Sequence, residues 1–336
     1  MRKANTRLMK EINLNHVREV MQRVETATKP QLASMTKLSV VTINSLIREL
    51  HERGEVFEDM VVPSNGGRPA QTYRYNYEHS LALVLYLKET QGQELVSAMV
   101  INLENTLLSK QDYVMPSFDK QQLYGIITHF ISTYPAIKIM GIGIPGQVVN
   151  GEITVSSHQE LMGSHLIKEI ELEYGLRVMV ENDVNAAVSG YCLKQEQEEG
   201  QEQCVVGIYF PNRYPPGMGI LWNGQVMRGK QGMSGEIKFL PNSPDWMNKM
   251  ASHTFVEAVC TILHTVNAVL APDQIIIYQD RVEEQHLNEA WNTYRDTHPM
   301  ASCSEIILQE TFQQDYEAGL RKMTLKELQL SGMLIP

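Results

Sequence analysis

With 336 residues, 43% hydrophobic and 20% charged, the chain has a globular composition and enough length for two or three domains. No uninterrupted apolar run reaches the roughly 18 residues a membrane span needs, and the start MRKANTRLMKEIN has no signal-peptide core, so a soluble, cytoplasmic protein without membrane contact is expected. The formal charge of -10 would argue against nucleic acid if it were evenly spread, but residues 1–78 carry 12 Lys+Arg against 9 Asp+Glu and the remainder 17 against 30. A mildly basic head on an acidic body is the asymmetry of a protein that meets phosphate at one end only.

Within the head, Val17, Val20, Met21 and Val24 repeat at helical spacing, which predicts an amphipathic helix over about 15–25. Thr28-Lys-Pro-Gln31 forms a capping box with proline in the first turn, opening a short helix to about Met35. After the turn Thr36-Lys37-Leu38, Ser39 caps a further helix whose stripe is Ile43, Leu46, Ile47 and Leu50 and which ends at Arg53-Gly54. Two short helices around a tight turn make a helix-turn-helix. The β-prone stretches EVFEDMVV and QTYRYN flank Pro63-Ser-Asn-Gly-Gly-Arg68-Pro69, whose Asn65-Gly66 suits a tight hairpin: a wing with an arginine at its tip. The second helix of such a unit enters the major groove by its N-terminal end, here Ser39, Val40, Thr42, Asn44, Ser45 and Arg48, where Asn pairs with adenine and the Val and Thr methyls meet thymine methyls. Arg68 suits a narrow minor groove, and Arg2, Lys3, Arg7 and Lys10 can add phosphate contacts. A three-helix protein-interaction module is the competing reading of the same pattern.

From residue 79 onward, LALVLYLKE and ELVSAMVINLENTLLSKQDY read as strands with a turn at Gln91-Gly92, followed by a helix over about 120–133 and the buried strand IKIMGIGIPGQVV. The glycines of that strand mark close approach of a backbone to a ligand. A helix near 164–174, the strand LRVMVEND and a helix opening at Val184-Asn-Ala-Ala complete an alternation that predicts a mostly parallel sheet. Ligands sit at the carboxyl ends of such strands, where Gly143-Ile-Pro-Gly146 and Glu181-Asn182-Asp183 fall. Asp183 there can act as a general base, or the Asn-Asp pair can simply cap a helix. The four cysteines, Cys192, Cys204, Cys260 and Cys303, lie far apart and read as free thiols, with neither a disulfide framework nor a zinc site.

Thr36-Lys-Leu-Ser39 with Gly66-Gly-Arg-Pro69, then Gly141-Ile-Gly-Ile-Pro-Gly146, Glu181-Asn-Asp-Val-Asn-Ala-Ala187 and Gly229-Lys-Gln-Gly-Met-Ser-Gly-Glu-Ile237, resemble the motifs of the ROK family of sugar-responsive repressors and sugar kinases. The resemblance implies an α/β chain in which a winged helix-turn-helix (1–78) precedes a two-lobed, actin-like ATPase body of the ribonuclease H-like kind. The lobes would be 79–200 and 201–336, with the C-terminal helix returning to the first, and the assembly a homodimer or homotetramer. It also exposes departures. Where the family's kinases carry an Asp-x-Gly-x-Thr loop and a Gly-Thr-Gly loop for ATP, this chain has Leu85-Tyr-Leu-Lys-Glu-Thr90 and Pro211-Asn-Arg-Tyr-Pro-Pro-Gly217. Where they carry Gly-Glu-x-Gly-His and a zinc-binding cysteine cluster, it has Gly235-Glu-Ile-Lys-Phe239 and no cysteine over 240–251. His253 and His264, without partners, read as ordinary residues.

No cofactor, no metal and no catalysis are therefore expected, with Asp183 a vestigial base. Gly146, Asn182, Asp183 and Glu236 remain as a site for a sugar or sugar-phosphate effector. The expected function is a repressor of carbohydrate-related genes that binds a double-stranded DNA operator. A divergent sugar kinase using Asp183 as general base and a ligand-independent dimerisation scaffold are the alternatives.

Overall fold

The computed structural model describes residues 2–333 apart from 65–66, 91–92, 150–151, 157–161, 196–201, 242 and 249. The head contains α1 (Arg2–Val24), β1 (Thr26–Thr28), α2 (Lys29–Thr36), α3 (Val40–Glu52), β2 (Val56–Ser64) and β3 (Gly67–Tyr75). Leu14, Val17 and Met21 of α1 close over Leu32, Ile43, Leu46, Ile47, Leu50 and Tyr73 in one core. Helix α1 begins well before the expected Asn15, because its first turns contain no Gly or Pro to stop them. Their apolar residues Leu8, Met9 and Ile12 are exposed, so no core-facing stripe marks that part of the helix. The Thr28 capping box forms as read, with Gln31 Oε1 accepting from Thr28 N at 2.8 Å, and Lys37 ends α2 in the left-handed conformation at φ +61°. Strand β1 is an addition. At three residues it is too short to leave a pattern, yet it completes the sheet order β1-β3-β2. Ser64 pairs with Gly67 across the wing tip, whose Asn65-Gly66 lies outside the described residues. Arg18 grips Glu55 through two bonds of 2.6 and 2.7 Å, tying α1 to the turn after α3.

The body is built around two five-stranded sheets of matching design. The first uses β4 (Leu81–Thr90), β5 (Gln93–Ile101), β6 (Leu107–Val114), β7 (Ile137–Ile144) and β10 (Arg177–Asn182) in the order β10-β7-β4-β5-β6. Between them run α4 (Lys120–Thr133), the small hairpin β8 (Gly146–Val149) with β9 (Glu152–Ser156), and α5 (Leu166–Tyr174), and α6 (Asp183–Cys192) follows. The second uses β11 (Cys204–Tyr209), β12 (Gly217–Trp222), β13 (Gln225–Val226), β14 (Gln274–Tyr278) and β15 (Glu305–Gln309) in the order β13-β12-β11-β14-β15, with α7 (Ser252–Leu270), α8 (Glu284–Thr297) and α9 (Phe312–Met333).

The expectation of a mostly parallel sheet is corrected. β10-β7-β4 and β11-β14-β15 are parallel, but β4-β5-β6 and β11-β12-β13 are antiparallel meanders. Strands joined by short turns must run antiparallel, and only those reached through α4, α5, α7 and α8 can be parallel. The run IKIMGIGIPGQVV is likewise two strands, interrupted at Pro145, which has no N–H to offer a ladder.

Helices α6 and α9 lie together between the sheets. A Cβ on Gly190 would stand 1.9 Å from Asp315 O, and one on Gly319 1.9 Å from Ala186 O, so the two backbones touch at both glycines. The β7 glycines serve α9 as well: a Cβ on Gly141 would meet Thr324 Oγ1 at 1.9 Å, and one on Gly143 would meet Tyr316 Oη at 2.2 Å. Their purpose is helix packing, not the approach of a ligand read from the sequence. Helix α7 is apolar enough by composition to cross a membrane, and it buries Phe255, Val259, Cys260, Ile262, Leu263 and Val266 against the second sheet.

Candidate functional site

Two surfaces gather the residues singled out in the sequence. On the head, Ser39 Oγ accepts from Thr42 N at 3.1 Å and lies 2.9 Å from Thr42 Oγ1, fixing the start of α3. Amphipathicity then divides the helix. Ile43, Leu46, Ile47 and Leu50 are buried, while Val40, Asn44, Ser45 and Arg48 are exposed and Thr42 is half-buried. Arg48 reaches only a long 3.9 Å contact with Glu52 and leaves its guanidinium in solvent. The sequence reading missed Val41, which is 79% exposed beside Val40 and is the most open apolar side chain of the helix. An apolar residue off the buried stripe, at the N-terminal end, was the available signal. Lys10 is engaged by Glu49 at 2.5 Å, and this bond holds the Glu49 carboxyl below its ordinary pKa, so Lys10 is committed within the head. The side chains of Arg2, Lys3 and Arg68 lie outside the described residues.

In the body, Gly146, Asn182, Asp183 and Glu236 line one cleft of about 310 Å³ between the two sheets. Asn182 Oδ1 accepts from Val184 N at 3.0 Å and Asn185 N at 3.1 Å, while its Nδ2 donates to Gly146 O at 3.1 Å. Its amide therefore caps α6 and pins β8 to the end of β10. Asp183 lines the cleft and is half-buried by its residue surface. Burial pushes its carboxyl up to about 7, with the Glu236 charge adding to the rise. Glu236 is positioned by Gly235, whose φ of +87° excludes other residues and whose Cβ would meet Met218 O at 2.0 Å. Lys238 also lines the cleft and holds Glu236 at 3.1 Å, whereas Phe239 turns outward and is 68% exposed.

At the other end of the cleft, the two segments that depart from the phosphate loops face each other. Tyr214 Oη donates to Glu94 Oε1 at 2.6 Å and Arg213 Nε lies 3.7 Å from Glu89, so the β11–β12 loop is bonded to the β4–β5 hairpin. Burial and the Glu94 charge hold the Tyr214 phenol above its ordinary pKa. From α9 come Phe312, stacked on Tyr209 at 3.7 Å, and Gln313 and Tyr316, whose Oε1 and Oη are enclosed without a hydrogen-bond partner among the described residues. No local pattern marks these α9 residues, because only the return of the last helix to the first sheet brings them here. Among the described residues, no three His, Cys, Asp or Glu side chains gather as metal ligands. His264 instead packs edge-on against Tyr294 and His298.

The sequence profile of the ROK family matches residues 90–261. The chain is 23% identical over 298 residues to the xylose repressor of Bacillus spizizenii, an alignment covering 85% of this chain and 75% of that protein. It is 22% identical over 250 residues to the N-acetylglucosamine repressor of Escherichia coli O6:H1, covering 71% and 60%. Among solved structures, a ROK family transcriptional regulator described as a homolog of the E. coli MLC protein superposes with a TM-score of 0.59 at 17% identity, covering 97% of this chain and 99% of that one. That likeness spans head and body, and the α/β fold is the one expected: helix-turn-helix and wing before an actin-like, two-lobed body.

Proposed function

Since the chain belongs to the ROK family, whose profile spans half of it, we propose that it is a sequence-specific transcriptional repressor of carbohydrate-related genes. Residues 1–78 bind operator DNA and the body, with lobes at 79–200 and 201–336, binds a sugar effector. The observation that carries this reading is the solvent-facing row Val40, Val41, Asn44, Ser45 and Arg48 at the start of a capped helix, next to a β-hairpin, on a body of this family. Base-edge contacts come from Asn44 and Arg48, methyl contacts from Val40, Val41 and Thr42, and Ser39 and Ser45 add polar contacts at the groove. Arg68 at the wing enters the minor groove. A homodimer or homotetramer in the cytoplasm supplies two such heads to a symmetric operator.

Gly146, Asp183 and Glu236 form the effector end of the cleft, with Asn182 holding Gly146 and Asp183 in place rather than offering its own amide. Mobility shifts with the DNA upstream of the chain's own operon test the reading. Saturable, salt-sensitive binding that a sugar weakens or strengthens is expected, and binding indifferent to sequence at physiological salt overturns it.

A second reading, a divergent sugar kinase, is favoured by Asp183 alone, because a carboxyl raised to about 7 suits a general base. A coupled ATP assay over hexoses and aminosugars separates the two, since turnover abolished by Asp183→Asn would establish the kinase.

A further inference from the structure

The cleft that holds Asp183 and Glu236 continues past Tyr209 to Tyr214, Pro215 and Pro216 on one wall and to Glu89 and Glu94 on the other. This is the end where kinases resembling the chain would place phosphates, and its chemistry here is the reverse of a phosphate site. Glu89 and Glu94 bring two carboxylates, and the nearby cations are already engaged: Lys88 Nζ lies 2.7 Å from Asp112 Oδ2, and Arg213 lies 3.7 Å from Glu89. A dianion placed here would face like charge with little relief. Tyrosine and proline faces, by contrast, suit the C–H face of a sugar ring, and carboxylates accept from its hydroxyls. Tyr316 Oη, buried and without a partner among the described residues, and Gln313 Oε1 both belong to α9 residues lining the same cavity, so donor and acceptor capacity is left over on its wall.

We propose that the cleft takes an uncharged ligand of two linked units, a disaccharide or a glycoside, with one sugar ring at Asp183 and Glu236 and the second unit against Tyr214, Pro215 and Pro216. The inference rests on the reading of the body as a sugar-binding effector domain and adds the size and charge class of what it binds. The Tyr214–Glu94 bond then lies over the second unit and closes the cleft between the two sheets.

Isothermal titration of the full chain tests this with xylose, glucose and N-acetylglucosamine, their β-1,4-linked disaccharides, and the corresponding monosaccharide phosphates. At least one disaccharide binds about tenfold or more tightly than its monosaccharide, and every phosphate binds more weakly than its parent sugar. Tyr214→Ala brings the disaccharide advantage below about threefold, and Tyr214→Phe, which keeps the ring, retains most of it. Glu89→Gln and Glu94→Gln, close in shape to the native residues, narrow the gap between phosphate and parent sugar even if Tyr214→Ala fails to fold. A monosaccharide or its phosphate that binds as tightly as every disaccharide overturns the two-unit ligand and leaves the effector reading standing. Absence of binding across the whole panel overturns both.

Discussion

Tyr214 Oη and Glu94 Oε1 lie 2.6 Å apart and join the β11–β12 loop to strand β5, so this hydrogen bond reaches from one sheet to the other across the mouth of the cleft. Arg213 and Glu89 repeat the connection more loosely at 3.7 Å. Tyr214, Arg213 and Glu89 lie in the segments that depart from the phosphate loops of the kinases the chain resembles, and Glu94 follows the first of them on β5.

Removing the Tyr214 hydroxyl breaks this connection and leaves Glu94 without that donor. A hydrogen bond to a charged group contributes about 1.5–3 kcal/mol when shielded, and the open cleft reduces this to about 1 kcal/mol for Tyr214→Phe. The urea midpoint should fall accordingly with the slope unchanged. An unaltered midpoint would mean that water replaces the bond at no cost.

Helices α6 and α9 meet at glycines, which sets up a paired test. Gly319→Ala drives a Cβ to 1.9 Å from Ala186 O, a backbone atom that cannot step aside, and should cost about 3 kcal/mol or more. Gly125→Ala in α4 has nothing within 4 Å of its Cβ and should stabilise by about 0.4–1 kcal/mol. Denaturant titrations of the two variants should therefore move in opposite directions, and equal shifts would sink the account of the α6–α9 contact.

Those glycines also mark the limit of what the sequence discloses. Thr28 with Gln31, and Ser39 with Thr42, obey rules that span three residues, so the caps and the helix-turn-helix are legible without any fold in mind. Gly141 and Gly143 follow no such rule. Their neighbours Thr324 and Tyr316 come from the last helix, and a glycine that admits a helix looks the same in sequence as one that admits a ligand. Asn182 shows the same ambiguity at close range. Its position at a strand end fits both a sugar contact and a helix cap, and the bonds it makes to Val184, Asn185 and Gly146 occupy it as a cap. The antiparallel half of the first sheet was hidden for a different reason, since the strand–helix alternation that predicts parallel pairing starts only after β6.

The raised carboxyl of Asp183 makes stability depend on pH in a stated direction. Its pKa rises from an ordinary 3.8 to about 7 on folding, so between these values the folded chain binds more protons than the unfolded one. The contribution of this group therefore favours folding least above pH 7, and stability falls as pH rises from about 4 to 7 with a slope of up to about 1.4 kcal/mol per pH unit. Asp183→Asn should remove that part of the slope, as read by melting temperature at each pH. An identical profile in wild type and variant would place the titration elsewhere.

The head offers the sharpest separation between positioning and specificity. Arg48 is 75% exposed in its side chain and, among the described residues, forms its ion pair with Glu52 at 3.9 Å, so Arg48→Ala should change stability by less than about 0.5 kcal/mol while altering the preferred operator sequence. Arg68→Ala, at the wing, removes a cation from the minor groove and should weaken binding while lowering the slope of log affinity against log salt by about 0.9, since a charge in the groove also displaces a counterion. Val41→Ser removes two methyls that face solvent in the free protein, so it should leave folding intact while reducing affinity for sites with thymine at the contacted position. Mobility shifts over a salt series, with a randomised operator library for the two helix variants, read all three. If Arg48→Ala and Arg68→Ala both change only the salt slope, α3 lies along the backbone and base reading belongs elsewhere in the head.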